Sequence, residues 1–264
     1  MKNKLSKILP AVVLMAIVVV GAGMHVRSNG NPFIKVSLSK KAKNYVQQNY
    51  PEIADKVQLS PQGVYVGHHN DTPVFLAYFS SPDDELMYFH LMYDKDGNFI
   101  YDGYSDHYMK GGTIYYYHSA TYGGIISELF NDHFCDGRGT ASVSLEAVLN
   151  SNSGHGTFLD SDTDMYEGYK GPVLEVGKEY DTMELAAEYG RISFYFTEDE
   201  EHTKENLYNR LVQSRELLKD SDIKFSLFSA SYRMGGGVYR LTPEDLFEGD
   251  LKQIVKKIGK LLFR

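Results

Sequence analysis

The sequence ELMYFHLMYDKDGNFIYDG, from Glu85 to Gly103, carries the clearest fold signal of the chain. Apolar and aromatic residues occupy both of its ends, and the pair Asp96-Gly97 lies between them. An Asp-Gly pair between two strand-forming runs is typical of a β-hairpin, because the tight turn needs the positive φ that glycine adopts without strain. We therefore predict that Glu85–Tyr93 and Phe99–Tyr104 form adjacent antiparallel strands.

The residues around this hairpin predict a small α+β domain that spans residues 33–109. It comprises a helix that ends at Pro51, then the strands Val57–Val66 and Thr72–Ser80, and then the hairpin. The strands are apolar on both faces. One face can therefore pack on the helix, while the other needs a second cover, from another domain or from a partner.

Residues 110–264 predict a second α+β domain, in which helices alternate with antiparallel strands. Its first helix is expected at Thr113–Phe134. The apolar side of that helix is predicted to comprise Tyr117, Ile125, Leu129 and Phe130. The other predicted elements are the strands Ala141–Leu149, Pro172–Val176, Arg191–Phe196, Ile223–Met234 and Val238–Leu241, and the helices Met183–Tyr189, Thr203–Lys219 and Pro243–Leu262. Asp181 and Thr242 are expected to cap two of these helices.

The remaining region, residues 1–32, combines a basic tip, an apolar run and a short linker. The run from Ile8 to Val26 holds 19 residues without Asp, Glu, Lys or Arg, and three lysines precede it. As a helix it would measure about 28 Å, close to the roughly 30 Å hydrocarbon core of a bilayer. We expect residues 8–26 to span a lipid bilayer once, with the lysines inside the cell and the body outside. The alternatives are a signal peptide, cleaved after Ala22 or Gly23, and a buried core helix.

The charge of the chain excludes one class of partner. The net charge is −8, and it becomes −11 for the body, because the residues up to Val26 contribute three lysines and no acid. Proteins that bind nucleic acid depend on Lys and Arg to neutralise phosphates, so we expect no nucleic-acid partner. Cys135 is the only cysteine, and an intramolecular disulfide is therefore impossible.

Two acidic segments, Asp160–Glu167 and Asp94–Asn98, begin like calcium-binding loops. Oxygen ligands alternate in both as they do at the start of an EF-hand loop. In both, however, position six lacks the glycine and position twelve lacks the glutamate that such a loop needs. The adjacent His68 and His69 would point to opposite faces of a strand, which does not suit one zinc ion. We therefore predict no metal site and no cofactor.

Cys135 is the residue on which an enzymatic alternative depends. A thiolate can attack an acyl group when a histidine assists, and His133 and His118 are the candidate partners. This set would suit an envelope cysteine hydrolase or transpeptidase. A lone cysteine is more often a small buried hydrophobe, and the Gly-x-Ser-x-Gly motif of esterases is absent. We therefore assign no catalytic residues and keep the cysteine enzyme as the alternative.

A lysine-rich start, one apolar span, a helix that ends in Tyr50-Pro51 and a turn in Tyr93-Asp94-Lys95-Asp96-Gly97 follow in that order. Lys178-Glu179-Tyr180-Asp181 then opens a helix–strand–helix segment in the second domain. This layout resembles the YfjL-like membrane-anchored proteins of Gram-positive bacteria, and the first domain is also similar to small cystatin-like or PepSY-like folds. The resemblance implies an anchor, two α+β domains and no catalytic residues.

These observations lead to one expected function. We expect a non-enzymatic, membrane-anchored extracytoplasmic protein that binds another envelope protein or a peptide at a sheet edge or an exposed apolar face. The cysteine hydrolase or transpeptidase is the second hypothesis. A soluble form, secreted after cleavage, is the third.

Overall fold

The structure is a computed structural model, and it describes residues 32–69, 72–134, 140–145, 172–196, 203–232 and 236–258. The described chain is α+β and divides into two compact units, one up to Met109 and one from Lys110 onward. No helix within the described ranges is long and apolar enough to cross a membrane. The predicted span at residues 8–26 lies outside those ranges.

The first unit is a helix packed on an antiparallel meander with the strand order β1-β2-β3-β4. Its elements are α1 (Pro32–Asn49), β1 (Gln58–His69), β2 (Thr72–Ser80), β3 (Tyr88–Tyr93), β4 (Phe99–Asp102) and α2 (Gly103–Asp106). The predicted hairpin is confirmed, since Tyr93 lies opposite Phe99 and Gly97 has a φ of 83°. A glycine therefore occupies the turn position that other residues fill only at a cost.

Side-chain alternation places apolar residues on both faces of this meander, as the sequence predicts. The main core forms between one face and α1. It includes Leu38, Ala42, Val46, Phe75, Ala77, Phe79, Phe89, Leu91 and Tyr93. A second buried cluster occupies the other face and comprises Val74, Leu76, Met92 and Tyr101, with Tyr65 packed against it.

Four boundaries in the first unit differ from the predictions. The strand β4 ends at Asp102 rather than Tyr104, because Asp102 caps the helix α2, which begins at Gly103. The helix α1 already begins at Pro32, which was predicted to lie in the linker; proline is well tolerated in a first helical turn. The strand β1 continues past Val66 to His69. The strand β3 begins at Tyr88 rather than Glu85, because Asp84 holds a turn there: its Oδ1 accepts the Leu86 N–H at 2.9 Å.

The second unit contains a four-stranded sheet with the order β5-β6-β7-β8 and five helices within its described residues. Its elements are α3 (Gly112–Phe134), β5 (Thr140–Leu145), α4 (Thr182–Tyr189), β6 (Gly190–Phe196), α5 (Lys204–Lys219), β7 (Leu227–Tyr232), β8 (Gly237–Leu241), α6 (Pro243–Phe247) and α7 (Leu251–Lys257). Rings from α3, β6 and β7 meet in its core, where Phe130 lies 5.3 Å from Phe194 and 6.5 Å from Phe228 between ring centroids.

The expectation of a purely antiparallel second sheet is wrong, because β6 and β7 pair in parallel. The helix α5 connects these two strands, and a helical crossover returns the chain in the same direction. The other two pairs, β5 with β6 and β7 with β8, are antiparallel. The sheet is therefore mixed.

The predicted apolar side of α3 is only partly correct: Phe130 is buried, but two of its four residues are exposed. Tyr117 is 51% exposed and Ile125 is 38% exposed. The buried stripe instead consists of Tyr115, His118, Tyr122, Ile126 and Phe130. Aromatic and aliphatic residues of α3 lie on every side of the helix. The hydrophobic pattern of the sequence therefore does not determine which side is buried.

Three predictions in the second unit need correction. The strand predicted from Ile223 begins only at Leu227. Residues 172–176 form no strand; Leu174 instead donates its N–H to the Lys110 carbonyl at 3.2 Å. The predicted helix Pro243–Leu262 is divided into α6 and α7 at Gly249, where a Cβ atom would lie 2.3 Å from the Asp245 carbonyl oxygen. Residues 259–262 lie outside the described chain.

Predictions made from residues close together in the sequence are confirmed elsewhere in this unit. The spacing of Leu207, Leu211, Ser214 and Leu218 by about one helical turn predicts the inward face of α5, and all four residues are buried. Thr242 caps α6 in a reciprocal capping box with Asp245, and Asp181 caps α4 by accepting the Glu184 N–H at 2.9 Å.

Candidate functional site

His118, one of the two candidate partners of Cys135, is buried in the second unit between α3 and the start of α4. Its Nδ1 lies 2.8 Å from the Thr182 hydroxyl, and its ring meets the edge of Tyr180 at 6.4 Å between centroids. Burial lowers the pKa of this imidazole, although the carboxylate of Asp181 opposes that shift. The neutral ring therefore links two helices through the Thr182 hydroxyl.

The helix α3 keeps His118 far from Cys135, which lies outside the described residues. His118 and Phe134 are 16 residues apart on one continuous helix, so about 24 Å of axis separates them. Cys135 is bonded to Phe134, and adjacent Cα atoms are about 3.8 Å apart. The side chains of His118 and Cys135 are too short to close the remaining gap, so this pairing is unfavourable.

His133 is the other candidate partner, and it lies at the opposite end of α3. Its side chain is exposed, and its ring packs edge-on against the adjacent Phe134 at 5.0 Å. It therefore remains near Cys135 in the chain. No cluster of three or more metal-ligating side chains occurs among the described residues, and the acidic segment Asp160–Glu167 lies outside them.

The most densely hydrogen-bonded carboxylate in the first unit is Asp102, at the end of β4. It accepts O–H donors from Tyr45, at 2.8 Å, and from Tyr50, and its Oδ1 also accepts the backbone N–H of Tyr104 at 3.0 Å. A fourth donor is the N–H of Ser105 at 3.4 Å. A carboxylate offers about four acceptor positions, so these bonds occupy the group.

This arrangement has a structural rather than a catalytic character. Burial, followed by the bond to Asp102, raises the pKa of the Tyr45 hydroxyl to about 12, and the same causes raise the pKa of Tyr50. Both phenols therefore stay protonated as donors. The cluster fastens the end of α1 to the end of β4, and it leaves Asp102 no acceptor for a substrate proton. Sequence reasoning missed it, although Asp102-Gly103 at a strand end is a helix-capping signal.

A second buried polar side chain in the first unit is the imidazole of His90, on β3. Its ring lies 5.4 Å from the ring centroids of both Tyr78 and Tyr101. Its Nε2 finds no hydrogen-bond partner among the described residues. Burial, followed by repulsion from His107, lowers the pKa of His90 to about 4, and burial also lowers the pKa of His107. Both imidazoles are therefore neutral at pH 7.

The turn Asp94–Asn98 does not use its oxygens as a calcium loop would. Asp94 Oδ1 accepts the N–H groups of Asp96 and Asn98 at 2.9 and 2.8 Å, and its Oδ2 accepts the Asn98 amide at 2.8 Å. These bonds lower the pKa of the Asp94 carboxyl. The carboxylate thus closes the hairpin turn.

The described surface also has an open depression of about 320 Å³ over α5, lined by Asn206, Asn209, Arg210 and Gln213. It presents amide and guanidinium groups from a single helix and includes no nucleophile.

No known protein family, curated protein or solved structure matches this chain.

Proposed function

We propose that this chain is a non-enzymatic, membrane-anchored protein of the cell envelope. Its two α+β units lie outside the cell and bind another envelope protein or a peptide. The observation that carries the proposal is the 19-residue uncharged run from Ile8 to Val26, with lysines before it and an acidic body after it. Membership of the YfjL-like family is part of the same proposal.

The chemistry of the described residues supports a role without catalysis. The Asp102 carboxylate is occupied by its own donors, and His118 is engaged with Thr182. A general base must reach the proton that it removes, and neither group is free to do so.

Exposed aromatic side chains support a binding role. Tyr116 and Tyr117 on α3 are 43% and 51% exposed. Tyrosine is enriched in protein interfaces because it offers a large ring together with a polar hydroxyl. We therefore place the partner surface of the second unit on this part of α3.

Site-specific photo-crosslinking in intact cells tests that surface. A benzophenone amino acid at Tyr117 should yield a discrete adduct with an envelope protein or peptide. The same amino acid at Glu128, which is exposed on the same helix, is the matched control and should not. Equal labelling from both positions, or none from Tyr117, would contradict the proposed surface.

The anchor has its own test. Leu14→Arg combined with Val18→Arg adds two charges to the centre of the run, at a cost of about 2.5–3.5 kcal/mol each. The variant should leave the carbonate-resistant membrane fraction, whereas Leu14→Ile with Val18→Ile should remain in it. Equal retention of both variants in that fraction would overturn the anchor.

The second candidate function is a cysteine hydrolase or transpeptidase that uses Cys135 with His133. The observation in its favour is the exposed imidazole of His133 two residues before the cysteine. Cys135→Ala should leave the profile of cell-wall proteins unchanged if the binding proposal is correct. A changed profile, reproduced by His133→Ala, would favour the enzyme.

A further inference from the structure

The region that contains the proposed anchor and α1 has basic residues but no acidic ones. The first 51 residues contain eight Lys or Arg and no Asp or Glu, so 19 basic and all 35 acidic residues follow Pro51. Four of those eight are lysines of α1. The helix α1 is therefore a positively charged element in a protein whose remaining body is strongly acidic.

One face of α1 combines apolar side chains with lysines. Phe33 is 84% exposed and Val36 is 73% exposed, and these are two of the three most exposed large apolar side chains among the described residues. Lys40 and Lys43 are also exposed. The spacings of three, four and three residues place these four side chains in one stripe along the helix. We call them the α1 stripe.

The opposite side of α1 packs into the protein core. Leu38, Ala42 and Val46 are buried against the meander. Lys41 is also engaged, because its Nζ donates to the Gly97 carbonyl at 2.8 Å and lies 5.5 Å from the centre of the Tyr93 ring. The α1 stripe thus faces away from the sheet, and its two lysines have a different environment from Lys41.

The chain length keeps the α1 stripe close to the anchor. Six peptide units connect Val26 to Pro32, and they reach about 20 Å at most when fully extended. The headgroup layer on each side of the hydrocarbon core is about 5–8 Å thick. The first turn of α1 is therefore within reach of the lipid surface at the end of the proposed span.

We propose that the α1 stripe lies on the membrane surface, with Phe33 and Val36 in the headgroup boundary and Lys40 and Lys43 paired with anionic lipid headgroups. This inference rests on the proposed anchor. Apolar residues beside lysines are the composition of helices that bind in the interface plane, and each basic side chain near an anionic surface adds to that attraction. The contact orients the first unit relative to the bilayer.

The test uses the full chain, with Cys135→Ser and Ser37→Cys, labelled with the fluorophore NBD at position 37. The labelled protein is reconstituted into vesicles of phosphatidylcholine alone or mixed with phosphatidylglycerol. In the mixed vesicles we expect NBD emission to shift to shorter wavelength and to be quenched by a lipid that carries a headgroup nitroxide. Raising the ionic strength from about 0.1 M to about 1 M shortens the Debye length from about 10 Å to about 3 Å and should reduce both effects.

Two double variants separate a specific contact from simple proximity. Lys40→Glu with Lys43→Glu should abolish the effect of phosphatidylglycerol. Lys224→Glu with Lys252→Glu makes the same charge change at exposed positions of the second unit and should preserve it. Folding of each variant is checked by near-ultraviolet circular dichroism.

The outcomes distinguish the two proposals. Protein that does not float with the vesicles would refute the anchor and the stripe contact together. Protein that floats, but whose NBD label stays in water in every lipid mixture, would refute the stripe contact alone. Equal shielding with and without phosphatidylglycerol would refute recognition of anionic headgroups.

Discussion

The buried imidazole of His90 should make the stability of the first unit depend on pH. Its pKa falls from the ordinary 6.5 to about 4 in the folded protein, because burial disfavours the charged ring. Between pH 6.5 and pH 4, His90 binds a proton in the unfolded chain but not in the folded chain. Acidification therefore favours unfolding in this window, and stability is retained above pH 6.5.

The size of the effect follows from that shift. Each pKa unit corresponds to about 1.4 kcal/mol, so the difference between 6.5 and about 4 corresponds to about 3 kcal/mol. The full loss should be reached near pH 4. The rings of Tyr78 and Tyr101 beside His90 suggest His90→Phe as the replacement, because an aromatic side chain keeps those contacts.

Urea unfolding at a series of pH values measures this directly, followed by the near-ultraviolet circular dichroism of the 21 tyrosines. The difference in unfolding free energy between wild type and His90→Phe cancels the contributions of other titrating groups. It should change by about 3 kcal/mol between pH 6.5 and pH 4. His68→Phe, at an exposed position of β1, is the control and should change little. Parallel curves for wild type and His90→Phe would refute the reasoning, and His90→Leu repeats the test if the phenylalanine variant is poorly folded.

Four further predictions concern the packing, the turns and the response to calcium. Tyr50→Phe removes one donor from the Asp102 carboxylate, and urea unfolding should show a loss of about 2 kcal/mol, whereas no loss would mean that the bond contributes nothing. Gly111 has a φ of 78°, and a Cβ there would lie 2.4 Å from the Leu174 carbonyl oxygen, so Gly111→Ala should destabilise by more than about 2 kcal/mol. Gly124→Ala meets no atom within 4 Å and should stabilise α3 by about 1 kcal/mol, and a loss from this variant would contradict the open environment. Calcium at millimolar concentration should leave the melting temperature nearly unchanged, and a rise of several degrees would revive a calcium site.

Features encoded by neighbouring residues were predictable from the sequence. The hairpin at Asp96-Gly97 depends on the conformational freedom of one glycine. The inward face of α5 follows from leucines spaced one helical turn apart, because its other positions are polar. Caps such as Thr242 involve residues only three positions apart.

Features that depend on distant residues were not predictable. The parallel pairing of β6 and β7 is set by the crossover through α5, which strand composition does not reveal. Asp102 accepts hydrogen bonds from Tyr45 and Tyr50, which are more than 50 residues away in the sequence, so no local sequence pattern predicts that cluster. The rotation of α3 was ambiguous because apolar side chains surround the helix.

The central claim is that the body of this protein is tethered outside the cell by residues 8–26. Labelling of intact cells with a membrane-impermeant maleimide tests it in a Cys135→Ser background. Lys95→Cys, in the exposed hairpin turn, should react before permeabilisation, and Ser6→Cys should react only afterwards. The mass of the mature chain should include residues 1–26. Reaction in the reverse order, or a mature chain that begins after Ala22 or Gly23, would contradict the account.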